Sequence, residues 1–224
     1  MDIKNINYEY FLDLSVRITY HSNAIEGNTL TLNETAMIIL DSTIPGGKSI
    51  REVFEVLNHK KAIDYMLTEL ANNQKLDIYV IKNINKEILD RLNDNAGNFK
   101  RNSNAIIGAN FETSTPSQAP ILTKNWIENL NYRLELCKND DKKLLEILNS
   151  HIEFERIHAF SDGNGRTGRL IMMYLCFQEK IAPFVIKKED RALYMSYLRE
   201  QNVDIIFEKV KELQKFEQKR IDKF

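Results

Sequence analysis

Apolar residues recur at three- and four-residue steps through most of the chain, which is the spacing of one face of an α-helix. Glycine and proline are scarce, with 8 and 4 residues, so few positions interrupt helices. Thr31 followed by Glu34 has the pattern of a capping box at a helix start. The fold class is therefore predicted to be mainly α. Helices are predicted over 7–20, from 31 onward, over 49–70, 77–92, 123–138 and 141–157, after the segment 158–169, and over 189–201 and 204–222.

The region 93–120 breaks the helical pattern. Short β-prone stretches alternate there with glycine and proline, which favours a small β-hairpin flap over about 99–120. The chain contains no internal repeat and no long linker, so one domain over 1–224 is the simplest organisation. It is divided into an N-terminal segment (1–45), a core (46–205) and a C-terminal helix (206–224).

The composition is that of an ordinary globular protein, with 43% hydrophobic and 28% charged residues. A formal net charge of −1 sets up no overall attraction to nucleic acid, so a nucleic-acid partner is not expected. The longest apolar run, 170–177, is too short for a membrane span, which needs about 20 residues. Cys137 and Cys176 are far apart and are interpreted as reduced thiols. The first residues lack a secretory signal pattern, so a cytoplasmic location is expected.

The segment 158–169 contains the residues that indicate chemistry, and its sequence is HAFSDGNGRTGR. Gly163 and Gly165 lack β-carbons, so the backbone can curl and let an anion approach its amides. A strongly apolar helix follows, and the free N–H groups at a helix N-terminus form a phosphate site. Arg166 and Arg169 are three positions apart and are predicted to grip phosphate oxygens from one helix face.

Three further side chains in this segment complete a reaction centre. Asp162 supplies a hard oxygen ligand suited to Mg²⁺ beside phosphates. Asn164 can donate a hydrogen bond to a phosphate oxygen, and His158 can take a proton from an attacking hydroxyl. Nearby arginines and a metal are expected to keep the His158 imidazole neutral, as a base must be. The set predicts transfer of a phosphorus-centred group to an oxygen nucleophile.

Two other nucleotide-binding patterns are rejected for this segment. The Walker pattern G-x-x-x-x-G-K-[ST] is absent from it. Its glycines do spell G-x-G-x-x-G, but a helix leads into them where a dinucleotide fingerprint requires a strand. A metal site formed by His151, Glu155 and His158 on one helix face is also considered. It lacks an H-E-x-x-H pattern, so His151 is expected to have a packing or supporting role.

The segment 158–169 resembles the signature of the Fic (filamentation induced by cAMP) family, H-x-F-x-[DE]-G-N-G-R-x-x-R. Every defined position matches, and the one departure is Ala159, where many members have proline. The resemblance implies a single-domain helical Fic fold that transfers AMP from ATP, with Mg²⁺, to a Ser, Thr or Tyr hydroxyl of a target protein. It implies these roles: His158 as base, Phe160 packed inward, Asp162 on Mg²⁺, Asn164 on the α-phosphate, Arg166 on the β-phosphate and Arg169 on the γ-phosphate.

A second segment, Ser22 to Gly27, resembles the inhibitory motif of the family, [ST]-x-x-x-E-[GN]. The resemblance implies that Glu26 pairs with Arg169 and blocks the productive pose of the γ-phosphate, with Ser22 in the same motif. A carboxylate bound to that guanidinium competes for the donors that orient ATP. A plain helix that ends at Gly27 as its C-cap is the alternative reading.

The resemblance covers about 21–200 and leaves no space after 205 for a further DNA-binding domain. It implies that the flap at 99–120 docks the target segment. It also places Tyr194 and Tyr197 near the adenine, although a tyrosine pair at this spacing more often packs in a core. Self-modification and a homo-oligomer remain open.

Two alternatives to a self-inhibited adenylyltransferase also remain open. The same site can remove AMP from a protein or transfer a different phosphate-containing group. A non-catalytic nucleotide-sensing module is the other alternative, although it has no need of the base His158.

Overall fold

The computed structural model describes residues 3–105 and 111–224, and helices account for most of them. Two short 3-10 turns, Ile3–Asn5 and Lys188–Asp190, join the α-helices. Within the described residues the α-helices are α1 (Tyr8–Ile25), α2 (Leu32–Leu40), α3 (Ile50–Ala71), α4 (Ile78–Ile88), α5 (Ala119–Leu136), α6 (Asp140–Ile157), α7 (Asn164–Gln178), α8 (Arg191–Glu200) and α9 (Asp204–Ile221).

Each predicted helix is present, and three boundaries differ in an informative way. α1 continues to Ile25, so the segment predicted to be inhibitory is the last turn of the first helix. α5 begins at Ala119, because Pro120 falls within its first turn, where proline is tolerated. α7 begins at Asn164, inside the segment 158–169, whereas the prediction placed a helix after that segment. The capping box at Thr31 is present.

α7 is the central helix of the fold. Its side chains are buried from Arg166 through to Phe177, and it contacts α1, α3, α4 and α6. The run of apolar residues after Arg169 explains this position, because a helix that is apolar on all sides has to be surrounded by protein. The first turn of α7 is therefore held rigidly by the core behind it.

α1 is anchored by residues that precede its last turn. Glu217 of α9 is buried and accepts hydrogen bonds from Tyr10 at 3.0 Å and from Arg17 at 2.5 Å. The phenylalanine Phe11 packs against Phe177 of α7, with ring centroids 5.9 Å apart. These contacts fix the direction in which the end of α1 points, which is toward the start of α7.

The predicted β-hairpin flap is not confirmed. Part of it, 106–110, lies outside the described residues. Among the described residues, the segment contributes one isolated antiparallel bridge between Phe99 and Phe160, and no strand is present. None of the helices that the structure describes is both long and apolar enough to cross a bilayer.

Candidate functional site

The site is built where α6 ends and α7 begins. His158 is the C-cap of α6 and has φ 48° and ψ 55°, the left-handed region in which glycine is the usual residue. A histidine in this conformation is strained, and such strain concentrates at functional sites. The left-handed turn directs the chain from α6 into the loop that precedes α7.

The loop after His158 is closed by Phe160 and Asn164. Phe160 is buried and stacks on Phe99, with ring centroids 5.8 Å apart. The amide oxygen of Asn164 accepts from the backbone N–H of Phe160 at 3.0 Å, and its Nδ2 donates back to the Phe160 carbonyl at 2.8 Å. Asn164 therefore holds the loop shut, a role additional to the predicted contact with phosphate.

Asn85 of α4 ties the same loop to the core. Its Nδ2 donates to the carbonyl of Asp162 at 3.1 Å and to the hydroxyl of Thr167 at 3.2 Å, and its Oδ1 accepts from the N–H of Gly97 at 3.0 Å. From the opposite side, Asn104 donates to the Phe160 carbonyl at 2.9 Å. The loop is thus held on both sides by buried hydrogen bonds.

The N-terminus of α7 has the backbone geometry of an anion site. Gly163 precedes it with φ 73°, a conformation that favours glycine, and no side chain of the described residues caps the helix. The N–H groups of a first helical turn have no partner within the helix, and the helix dipole adds positive potential there. A glycine turn and a helix start are thus both present where the glycine spacing predicts an anion cradle.

Asp162 and Arg166 lie on one flank of this cradle. The carboxylate oxygen Oδ1 of Asp162 accepts from the Gly163 N–H at 2.6 Å and lies 3.7 Å from a nitrogen of Arg166. The Arg166 guanidinium is buried and is also 3.7 Å from Glu55 of α3. Arg166 is therefore held by weak ion pairs that a phosphate can replace.

Arg169 is gripped by the end of α1. Its Nε donates to the hydroxyl of Ser22 at 2.9 Å, and one terminal nitrogen donates to the Ser22 carbonyl at 3.0 Å and to Glu26 at 2.6 Å. The other terminal nitrogen donates to the Tyr194 hydroxyl at 3.3 Å. All three nitrogens of this 5% exposed side chain are therefore occupied by protein acceptors.

The Glu26 carboxylate is close to the anion cradle itself. A Cβ built on Gly165 would lie 2.5 Å from its Oε1, so the carboxylate rests against the first turn of α7. Burial, the largest single effect, opposes its ionised form, but Arg169, Arg166 and Arg191 together outweigh burial, and the pKa of Glu26 falls below its ordinary value. Burial disfavours the charged form of Arg169, yet Tyr194 and Glu26 raise its pKa.

A cavity of about 390 Å³ lies at the end of α1 and the start of α7. Glu26, Gly165 and Arg169 line one part of it, and His158 also lines it. Phe111, Ile152, Met195 and Leu198 supply an apolar wall, and Arg156, Arg191 and Arg199 add positive charge. A pocket with a small apolar wall and a few convergent polar groups is typical of a small-molecule site.

The structure separates the two tyrosines that were predicted to lie near the adenine. Tyr194 lines the cavity, and its hydroxyl lies 2.8 Å from Nε2 of His151. Tyr197 is fully buried behind it, and its hydroxyl donates to the carbonyl of Leu148. Tyr197 is absent from the cavity wall, so the geometry does not support a direct contact with a nucleotide.

His158 is neutral, for a reason different from the predicted one. Burial, and then the ammonium of Lys100, lower the pKa of His158 to about 4, although a backbone hydrogen bond with Glu155, and then Glu26 and Asp162, oppose the shift. The two arginines of the motif and a metal were predicted to have this effect. Because the imidazole is uncharged at neutral pH, it can accept a proton.

Several residues of the site have no signal in the sequence. Three of them act through the loop, namely Asn85, Asn104 and Lys100. The fourth is Arg191, which donates to the carbonyl of Ile25 at 2.9 Å and thereby positions Glu26. Lone asparagines and lysines have no spacing rule that marks them. Glu155 was considered only as part of a metal site, whereas it lines the cavity.

The fold and the site together define a helical domain in which a histidine at the end of one helix lies beside the glycine-lined N-terminus of the next. Residues 75–176 match the family model described as Fic/DOC family. The chain belongs to the Fic/DOC family.

Two relatives and one solved structure give the range of similarity. Identity is 32% over 184 residues to "Protein adenylyltransferase Fic" of Aedes aegypti, with 82% of this chain and 36% of that protein covered. It is 30% over 188 residues to the protein of the same name from Nematostella vectensis, covering 82% and 42%. A Fic domain containing signaling protein from Bacteroides thetaiotaomicron VPI-5482 has the same fold, with TM-score 0.79, 23% identity, and 90% and 78% coverage. The chain spans less than half the length of the two relatives.

Proposed function

We propose that the chain is a self-inhibited protein adenylyltransferase, which transfers AMP from ATP to a hydroxyl of a target protein. The observation that carries the proposal is the meeting of a neutral His158, a glycine-lined helix N-terminus and Arg169 in one cavity. Relatives named as adenylyltransferases support it.

ATP fits the cavity in one direction. The triphosphate belongs at the first turn of α7 and at Arg166 and Arg169, because free amides and guanidinium forks are the phosphate-binding groups present. The adenine ring of ATP belongs at the apolar wall formed by Ile152, Met195 and Leu198. In this orientation the α-phosphorus lies at His158, between the apolar wall and the first turn of α7.

The residues present suit Mg²⁺ held chiefly by the nucleotide. Asp162 offers a hard carboxylate whose side chain is partly exposed at the edge of the cradle. No cluster of three or more His, Cys, Asp or Glu suited to a metal occurs in 3–105 or 111–224. A single carboxylate plus phosphates is the usual Mg²⁺ arrangement, and the ion supplies charge neutralisation to the leaving phosphates.

His158 acts as the general base in this proposal. Its imidazole accepts the proton of the target hydroxyl as the oxygen attacks the α-phosphorus. The bond between the α-phosphorus and the bridging oxygen to the β-phosphate breaks, and pyrophosphate leaves. The amides of the α7 N-terminus and the motif arginines stabilise the charge on the phosphate oxygens during transfer.

Inhibition follows from the occupied guanidinium of Arg169. Glu26 and Ser22 of α1 use its Nε and one terminal nitrogen, so a γ-phosphate has to displace them to bind there. The Glu26 carboxylate also places negative charge against Gly165, where phosphate oxygens belong. Release of the last turn of α1 would free both positions.

The target segment is proposed to dock at the 99–120 flap, beside the motif loop. The described part of this segment is joined to the loop by Lys100, whose N–H donates to the Ala159 carbonyl at 2.9 Å. A docked chain that pairs with backbone groups there would bring its hydroxyl to His158 with little demand on sequence.

The test uses ATP labelled at the α-phosphate. Glu26→Gly is expected to attach label to itself or to proteins of a lysate, and the unaltered protein much less. Glu26→Gln, which keeps the side-chain volume and loses the charge, should lie between them. Adding His158→Ala to Glu26→Gly should abolish labelling. Retained labelling in that double variant contradicts the base, and transfer of a γ-label in place of the α-label contradicts the reaction.

Removal of AMP by the same site is the second candidate. The observation in its favour is that an ionised Glu26 and a neutral His158 line one cavity, so the carboxylate can accept a proton from water. Release of AMP from a modified target by the unaltered protein, and its loss in Glu26→Gly, would favour removal over addition.

A further inference from the structure

Glu155 is an acidic residue in the cavity wall that the proposed reaction does not use. It lies on α6 between Ile152 at the apolar wall and His158 at the end of the helix, and all three line the cavity. A nucleotide that extends from the apolar wall to the anion cradle therefore passes this side chain.

The Glu155 carboxyl is buried without a partner. The residue is 8% exposed, and its Oε1 has no hydrogen-bond partner among the described residues. A Cβ built on Gly168 would lie 2.7 Å from Oε1, so this oxygen is packed against α7. A buried polar atom without a partner is costly, and the cost is much larger for an ionised carboxylate than for a neutral carboxylic acid.

The charges that face Glu155 are fixed between pH 7 and 9. Burial raises the pKa of Glu155 to about 8, with Arg169 of α7 opposing the shift and Glu26 of α1 adding to it. On α6 itself, burial lowers the pKa of His151, 3.9 Å away, to about 3, and that of His158 to about 4. On α8, burial raises the pKa of Tyr194.

The remaining charged groups of the cavity wall also keep one state. The guanidinium groups of Arg156, Arg191 and Arg199 stay positive throughout this range. Glu26 stays ionised, because its pKa is held below the ordinary value. Glu155 is therefore the group of the described wall whose charge changes near neutral pH.

We propose that Glu155 binds the nucleotide as a neutral carboxylic acid, donating a hydrogen bond to an acceptor atom of the ligand. An ionised Glu155 would have no proton to donate. It would also place a second carboxylate beside Arg169, where the terminal phosphates belong. Nucleotide binding thus requires one proton on this side chain, and Glu155 is a positioning residue for the proposed transfer, on which this inference rests.

The experiment measures the dissociation constant of ATP with Mg²⁺ by titration calorimetry from pH 7.5 to 9.5. The protein carries Glu26→Gly and His158→Ala, so that ATP binds without turnover, and ionic strength is constant. With Glu155 present, affinity should fall as pH rises, approaching tenfold per pH unit once the free side chain is ionised. Glu155→Gln, an uncharged donor of the same shape, should bind with no such fall.

A third variant separates hydrogen bonding from packing. Glu155→Leu should bind about three- to tenfold more weakly than Glu155→Gln at every pH, since it lacks the donor. Circular dichroism of each variant checks the fold. The role of Glu155 would be overturned if the affinity for ATP fell equally with pH in the Glu155 and Gln proteins. It would also be overturned if the Gln and Leu proteins bound ATP equally well. Either result would leave the nucleotide site itself intact. Absence of ATP binding in every protein would overturn the proposed function as well.

Discussion

His158 combines a strained backbone with a chemically useful side chain. Its φ of 48° is one that an L-residue adopts at a cost, and the position closes α6 much as a glycine would. The proposed function gives the imidazole a role, whereas the backbone conformation only has to close α6. The backbone and the side chain can therefore be tested separately.

Replacing His158 by glycine or alanine gives different results for stability and the same result for activity. Both variants should lose AMP transfer in the Glu26→Gly protein, because neither has a base. Glycine relieves the left-handed strain, so His158→Gly should be about 1 kcal/mol more stable than His158→Ala. Urea unfolding of the two variants measures the difference, and equal stabilities would contradict strain at this residue.

The sequence predicts which side chains carry the chemistry but not how each is used. The motif identifies Asn164 and Arg169 from spacing alone. Which acceptors surround Arg169 depends on Ser22 and Glu26, which lie far away in the chain. The cause of the neutral imidazole lies at Lys100, 58 positions before His158 by subtraction, and no local pattern links the two.

At the scale of elements, the loop between α6 and α7 depends on a helix that contributes nothing to the cavity wall. Asn85 of α4 uses both atoms of its amide on the loop and on Gly97, and it is completely buried. The hydrogen bonds of Asn85 therefore determine the shape of the loop as much as the glycines of the loop do.

Asn85→Ala is expected to damage activity and stability together. The variant leaves the Gly97 N–H and the Asp162 carbonyl without their partner, which should cost about 2–3 kcal/mol in unfolding free energy. Transfer by the Glu26→Gly protein should fall because the anion cradle loses its support. Asn83→Ala is the control, since Asn83 lies on the exposed side of α4 and contacts Tyr65. Equal effects of the two substitutions would contradict the role given to Asn85.

The helices themselves were predictable, because apolar spacing and capping residues are local signals. The start of α7 was not, since Gly163 and Gly165 normally interrupt helices and the apolar run begins only at Leu170. The helix starts earlier because Asn164 and Asn85 fix the loop in front of it. The predicted flap falls partly on 106–110, outside the described residues, so that prediction stands untested there.

At the scale of the whole molecule, buried histidines set the response to acid. His59 of α3 is fully buried against α1, where the Thr19 hydroxyl lies 3.1 Å from its Nδ1. Burial lowers the pKa of His59, and that of His151, to about 3. In the unfolded chain these groups bind protons near pH 6.5, so unfolding takes up protons below that pH.

Stability should therefore fall as pH decreases below about 6.5. Each of the two histidines can contribute up to about 1.4 kcal/mol per pH unit until pH falls to its folded pKa. Glu155 acts in the opposite sense between its folded pKa of about 8 and its ordinary value, and two histidines outweigh it. Unfolding free energies in urea from pH 4 to 7 measure the slope, and His59→Gln should reduce it. An unchanged slope in His59→Gln would show that His59 is not protonated on unfolding.

Under the proposed function, the contact between the end of α1 and Arg169 makes the first helix and the nucleotide compete for one guanidinium. Two ligands that affect each other through a shared group do so by the same factor in both directions. A binding partner that moves the last turn of α1 away from the cavity would raise the affinity for ATP. ATP would raise the affinity for that partner by the same factor. Cellular ATP would then strengthen the binding of any partner that recognises the released end of α1.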